Sequence, residues 1–134
     1  MTKKILMIDD DADLCEEISE ILLGKGYAVE TVCDGLEGWR AIQKDGYDVI
    51  LLDIKIPRMN GIDILKKIRE KKIKTKVMLL SASPVIDKSL GHQVVFTDDD
   101  SENVINLADD MMCKPYDVEI FLRKIDRLID TKTA

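Results

Sequence analysis

No stretch of this chain approaches the roughly 20 apolar residues that a membrane-spanning helix needs; its apolar runs are short, such as Val49-Ile50-Leu51-Leu52. Thr2-Lys3-Lys4 followed by Ile5-Leu6-Met7-Ile8 briefly resembles a secretory leader, but we read the run as too short, and Asp9-Asp10-Asp11 ends it. Cysteine is scarce and odd in number. Cys15, Cys33 and Cys113 are widely spaced and fit no metal motif, so they read as reduced thiols of a cytoplasmic protein. There is one histidine, His92, in a segment without clear periodicity, and it reads as a loop residue, not a phosphodonor. No glycine-rich stretch precedes Lys-Ser or Lys-Thr, which excludes a P-loop nucleotide site. Internal repeats and low-complexity segments are also missing.

What is present suits one domain with one core: 134 residues, 46% hydrophobic and 34% charged. The net charge of -6 gives no general attraction for nucleic acid or an anionic membrane, although local basic patches remain possible. Ile5 to Ile8 is a short apolar run suited to a strand buried on both faces. Asp11 to Leu23 then reads as a helix, with Leu14, Ile18, Ile21 and Leu22 in one stripe, stopped by Gly24 and Gly26.

The alternation continues. Strands are predicted at Tyr27 to Val32, Asp48 to Leu52, Lys76 to Leu80 and, more weakly, Asp109 to Cys113. Helices are predicted at Leu36 to Lys44, Gly61 to Lys71 and Asp117 to Ile129. Leu36, Trp39 and either Ile42 or Gln43 should face inward on the second helix. On the last, Val118, Phe121, Leu122, Ile125, Leu128 and Ile129 share one face. Repeated strand-helix units imply an α/β fold, doubly wound, with a parallel sheet and helices on both faces. Between Ser81 and Asp109 the rhythm breaks for 27 residues; Asp100-Ser101 can cap a short helix through Leu107, while Pro84 to Asp98 has no assignment.

Ligands in an open parallel sheet bind beyond the carboxyl ends of the strands. Asp9 and Asp10 follow the first predicted strand, Asp53 the third, Ser81 the fourth, and Lys114, then Pro115, the fifth. Two carboxylates about 4 Å apart repel by roughly 4 kcal/mol at an effective dielectric of ~20, so the cluster needs a cation or a raised pKa. Mg²⁺ suits it, being hard, oxygen-seeking and content with one or two carboxylates plus water and phosphate oxygens. Lys114 adds a charge free to meet a phosphoryl oxygen. Asp9, Asp10 and Asp11 could instead cap the first helix; that reading is preferred for Asp11 and the metal for the other two. Seven basic residues lie between Lys66 and Lys76; a solvated helix face is the plain reading, a docking patch for an acidic partner the alternative.

Ile5-Leu6-Met7-Ile8-Asp9-Asp10-Asp11 resembles the acidic end of the first strand of a response regulator receiver domain. Asp53-Ile54-Lys55-Ile56-Pro57-Arg58-Met59-Asn60-Gly61 resembles its phosphoacceptor loop, Leu79-Leu80-Ser81-Ala82 its hydroxyl-bearing fourth strand, and Ala108 to Tyr116 the region of its lysine. Each motif alone is weak, but four in order, each on the right strand end, are specific. The resemblance implies a five-stranded parallel sheet of flavodoxin-like order 2-1-3-4-5. It implies a receiver domain over 1–134, with about 84–99 an atypical insertion between the fourth strand and the fourth helix. It assigns Asp53 as phosphoacceptor, Asp10 as direct Mg²⁺ ligand, Asp9 as ligand through water, and the Lys55 backbone carbonyl toward the metal. Ser81 and Lys114 would meet phosphoryl oxygens. The chemistry implied is transfer from phosphohistidine of a sensor histidine kinase or phosphotransfer protein, with Mg-dependent self-phosphorylation and slow autodephosphorylation the only activities.

Three positions depart from the family pattern. Met111 stands where an aromatic side chain usually reports phosphorylation. Leu107 replaces a glycine, and the stretch between Ser81 and Lys114 is longer than usual. These bear on the switch, not on the phosphorylation site. A haloacid-dehalogenase-type phosphatase would want an aspartate at Lys55. A flavin protein would want a hydroxyl- and glycine-rich loop where Asp9-Asp10-Asp11 stand. The main rival is a non-phosphorylated pseudo-receiver that only binds protein. The chain ends four residues past Asp130 with no output domain visible, so it reads as either a stand-alone receiver or a fragment of a longer protein.

Overall fold

The computed structural model describes residues 2–44, 46–81, 86–87, 92–93, 107–113 and 117–133. Five strands, β1 (Lys4–Ile8), β2 (Ala28–Val32), β3 (Val49–Asp53), β4 (Lys76–Ser81) and β7 (Asp110–Cys113), form one sheet. Its order is β2-β1-β3-β4-β7, and every pairing is parallel. This is the 2-1-3-4-5 order that the resemblance implied, with β7 as the fifth strand of the sheet. Helices α1 (Ala12–Gly24), α2 (Gly35–Gln43), α3 (Gly61–Glu70) and α4 (Val118–Thr133) complete the described elements, with the short strands β5 (Ile86–Asp87) and β6 (His92–Gln93).

Each helix begins on a short polar side chain that accepts a hydrogen bond from a first-turn amide. Asp11 takes the N–H of Leu14 at 3.1 Å, Asp34 that of Glu37 at 2.8 Å, Asn60 that of Asp63 at 2.9 Å and Asp117 that of Ile120 at 3.1 Å. Such a cap stabilises a helix by about 1 kcal/mol. It lets a buried strand turn into a helix without stranding backbone donors. Asp11 is thus the cap that the sequence suggested.

The sheet sorts its side chains by the two-residue period of a strand. Ile5, Met7, Val49, Leu51, Met78, Leu80 and Met112 face α1 and α4. Leu6, Ile8, Ile50, Leu52, Val77 and Leu79 face α2 and α3. All five residues of β3 are buried, as expected for a central strand covered on both faces.

The observed elements refine several expectations. β3 and β4 each run one residue further, because Asp53 pairs with Leu80 and Ser81 with Cys113 in the ladders; the site residues therefore end their strands and do not follow them. On α2, Ile42 is the inward residue and Gln43 is exposed. Cys15 joins the buried stripe of α1. Val118 is exposed, because it opens the first turn of α4, before the helix reaches the sheet, and the burial begins at Phe121. His92 is not in a plain loop: Asp87 pairs with His92, and Ile86 with Gln93, in an antiparallel ribbon. The remainder of Pro84 to Asp98, the helix predicted up to Leu107, and Lys114 lie outside the described residues. Leu107 itself is an exposed turn residue.

Tyr27, just before β2, donates its hydroxyl hydrogen to Asp126 of α4. Burial, that bond and the nearby carboxylates of Asp126 and Asp130 raise its pKa from 10.0 to about 12. The folded state thus binds this proton more tightly than the unfolded chain does. The stabilisation is complete below pH ~10 and is lost as the pH rises through about 12. Chemical denaturation of the parent and Tyr27→Phe should therefore give a stability gap that is constant to pH ~10 and closes toward pH 12; a gap independent of pH would contradict this.

Candidate functional site

The carboxyl edge of the sheet gathers most of the residues singled out from the sequence. Asp9 follows the last residue of β1 and is fully buried. Its amide donates to Val32 O at 3.2 Å and its carbonyl accepts from Cys15 Sγ at 3.4 Å. Its Oδ1 accepts from Asp11 N at 2.9 Å. The first two hold the backbone of Asp9, and the third holds its carboxylate. Asp10 is exposed. Asp53 closes β3 and is only 3% exposed, and Ser81 closes the adjacent β4 at 5%.

The loop after Asp53 is shaped by two close approaches. The amide of Gly61 donates to Ile54 O at 2.9 Å. A Cβ on Gly61 would lie 2.2 Å from the carbonyl oxygen of Asp53, and one on Gly35 would lie 1.8 Å from that of Met59. Only glycine lets the start of α3 pack on the end of β3 and the start of α2 pack on the loop. Lys55 contributes through its amide, which donates to Asp53 Oδ1 at 3.2 Å. The sequence assigns Lys55 only a carbonyl role and gives Cys15 no part in anchoring Asp9. The signal for the latter was available: Cys15 stands on the inward side of α1.

One carboxylate oxygen from each of Asp9, Asp10 and Asp53 falls within 4.8 Å of the others. Unit charges within that separation repel by about 3.5 kcal/mol or more per pair at an effective dielectric of ~20. The donor set is all oxygen, with no imidazole or thiolate, which suits Mg²⁺ and other hard cations. The residues present fit the metal that the sequence suggested. Met111, at the usual aromatic position, is half-buried and packs on the α2 and α3 side of the sheet.

Residues 5–126 match the response regulator receiver domain model. The chain is 32% identical over 123 residues to the transcriptional regulatory protein DltR of Streptococcus agalactiae, covering 91% of this chain and 50% of that protein. It spans about half the length of such curated relatives. Among solved structures, a CheY-like receiver domain protein from Methanospirillum hungatei superposes with a TM-score of 0.82 at 25% identity, covering 99% of this chain and 98% of that one. TrrA of Thermotoga maritima, in complex with Mg²⁺ and BeF, gives a TM-score of 0.77 at 27% identity, covering 95% and 99%. TrrA in complex with the histidine kinase ThkA gives 0.77 at 26%, covering 96% and 99%. The chain belongs to the response regulator receiver domain family.

Two outcomes follow from this geometry. Mg²⁺ should raise the melting temperature of the parent, and Asp10→Asn should weaken Mg²⁺ binding at least about tenfold by calorimetry, since one of the three clustered charges is removed; unchanged binding would remove Asp10 from the site. Gly61→Ala should cost about 2 kcal/mol or more in urea denaturation, because the added methyl meets backbone that cannot swing aside. Equal stability would show that the loop is not held by this approach.

Proposed function

We propose that this receiver takes a phosphoryl group onto Asp53 in a Mg²⁺-dependent reaction and signals by a change of conformation. The observation that carries the reading is the convergence of the Asp9, Asp10 and Asp53 carboxylates within 4.8 Å at one sheet edge. Asp9, Asp10, Asp53 and the carbonyl of Lys55 would hold the ion. Its chemistry when bound is neutralisation of charge on the carboxylates and the incoming phosphoryl group.

The remaining work falls to the chain. An Asp53 oxygen attacks phosphorus, the P–N bond of a phosphohistidine breaks, and the imidazole leaves with the bonding pair. The amide of Lys55, already on Asp53 Oδ1, aligns the nucleophile. The two strand ends that carry Asp53 and Ser81 are adjacent and buried, which places the hydroxyl beside the nucleophile. Ser81 donates to one phosphoryl oxygen, and Lys114 pairs with another. Beyond its own phosphorylation and slow dephosphorylation the domain needs no enzymatic activity.

The donor would be a sensor histidine kinase or a phosphotransfer protein in the cytoplasm, in keeping with the kinase complex of TrrA. The transcriptional role of relatives such as DltR favours a DNA-binding output, with no nucleic-acid contact by the receiver itself. We read residues 84–99 as an insertion particular to this receiver.

Incubation with a small phosphodonor such as acetyl phosphate, read by intact mass, tests the proposal. The parent should gain one phosphoryl group with Mg²⁺ and none with chelator, and Asp53→Asn should gain none. A parent that folds and binds Mg²⁺ but takes up no phosphoryl group would instead be a binding module. Uptake by Asp53→Asn would place the acceptor elsewhere.

A further inference from the structure

The opposite edge of the sheet, where β3 and β4 begin, carries a second built feature. An open cleft of about 580 Å³ lies between the segment leading into β3 and the turn that follows α3. That volume is in the range of small-ligand and peptide-anchoring pockets. Ile42, Tyr47, Ile73, Lys72 and Lys74 are in its lining; Ile42 and Tyr47 are buried, Ile73 is half-buried and the two lysines are exposed. Asp48, also in the lining, accepts a hydrogen bond from the amide of Lys4 at 2.8 Å.

The turn is unusually well held. Arg69 donates through Nη1 to Ile73 O at 3.0 Å and Thr75 O at 3.2 Å, through Nε to Leu107 O at 2.9 Å, and through Nη2 to Asp109 Oδ2 at 2.9 Å. Thr75 Oγ1 donates to Tyr47 O at 3.4 Å, tying the two walls together. Within this fixed turn Lys72 adopts φ 58°, the left-handed region where glycine is at ease and a long side chain costs free energy. The conformation closes α3: the Lys72 amide donates to Arg69 O and the Ile73 amide to Ile68 O, both at 3.0 Å, so the helix end fixes where the Lys72 side chain emerges.

The basic run of α3 and its turn now separates into groups. Arg69 belongs to the clamp, Lys76 reaches Asp109 at 3.8 Å, and Lys67 lies over the Trp39 ring at 5.8 Å. Lys72 and Lys74 are exposed and make no ion pair among the described residues.

We propose that this cleft is a docking site for an acidic peptide segment of a partner protein, with an aliphatic side chain in the cleft and carboxylates on Lys72 and Lys74. Two ammonium groups beside an apolar surface complement alternating acidic and aliphatic residues. A nucleic acid would bring a dense phosphate backbone against a chain of net charge -6 with only two lysines to meet it. The frame is preformed, so little ordering cost accompanies binding. The site lies a full strand length from Asp53 and is independent of phosphoryl chemistry.

The test is an NMR titration of the full chain with a synthetic peptide of alternating glutamate and leucine, and in parallel with a DNA duplex. The expected result is saturable shifts of the Gly46, Asp48 and Thr75 amides with the peptide. Lys72→Gly combined with Lys74→Gln should weaken that binding about fivefold to tenfold at low salt. The double variant should keep its fold, since glycine tolerates φ 58°, and its Mg²⁺ affinity at the other edge. Absence of shifts, shifts unaltered in the double variant, or binding of the duplex in place of the peptide would each overturn the proposal. A peptide of the same length with glutamine for glutamate checks the charge requirement; equal binding would also overturn it.

Discussion

Three carboxylates held together at one edge of a sheet are the constraint around which this structure is arranged. Left to themselves they would separate, since each pair costs kilocalories at the observed spacing. Separation is prevented by β1 and β3, which are adjacent, parallel and buried, and which carry Asp9 and Asp53 at their ends. Asp9 is further tied by its amide, its carbonyl and one side-chain oxygen. The hydrophobic core therefore stabilises an unfavourable charge arrangement that a hard cation can relieve.

That arrangement reaches into the packing of the helices. Asp11 caps α1 directly after the acidic pair, so the same short run supplies two site carboxylates and a helix start. Gly61 allows α3 to begin against the backbone of Asp53, and Gly35 allows α2 to begin against Met59. The loop bearing Pro57 is pinned by Gly35 N donating to Pro57 O at 3.0 Å. Arg58 holds φ 73° there and reaches Asp34 at 3.4 Å. A loop so held fixes the backbone beside Asp53 and keeps the Lys55 amide on its Oδ1.

The two edges of the sheet differ in kind. At the carboxyl edge, acidic groups converge with few cations among the described residues. At the amino edge, Arg69 gathers four acceptors from the turn, Leu107 and Asp109. Asp109 in turn accepts from Val77 N at 2.8 Å. A guanidinium with its donors occupied by fixed acceptors is a rigid joint, and it binds the chain returning toward β7 to the start of β4.

Much of this was legible in the residues. Short apolar runs alternating with helical stripes specify a parallel α/β sheet, because strands buried on both faces cannot alternate polar and apolar residues. Acids, hydroxyl and loop glycine at successive strand ends marked the site. Other features depended on tertiary contact. Whether Ile42 or Gln43 faces inward, and why Cys15 is buried, follows from where α1 and α2 land on the sheet. That Asp53 and Ser81 lie within their strands follows from ladder pairing with Leu80 and Cys113. The run of lysines looked uniform in sequence, since charge alone carries no address. Only the folded chain assigned Arg69 to a clamp and Lys72 to a left-handed turn beside a cleft. Local periodicity records which face of an element is apolar; partners tens of residues away decide what each polar side chain meets.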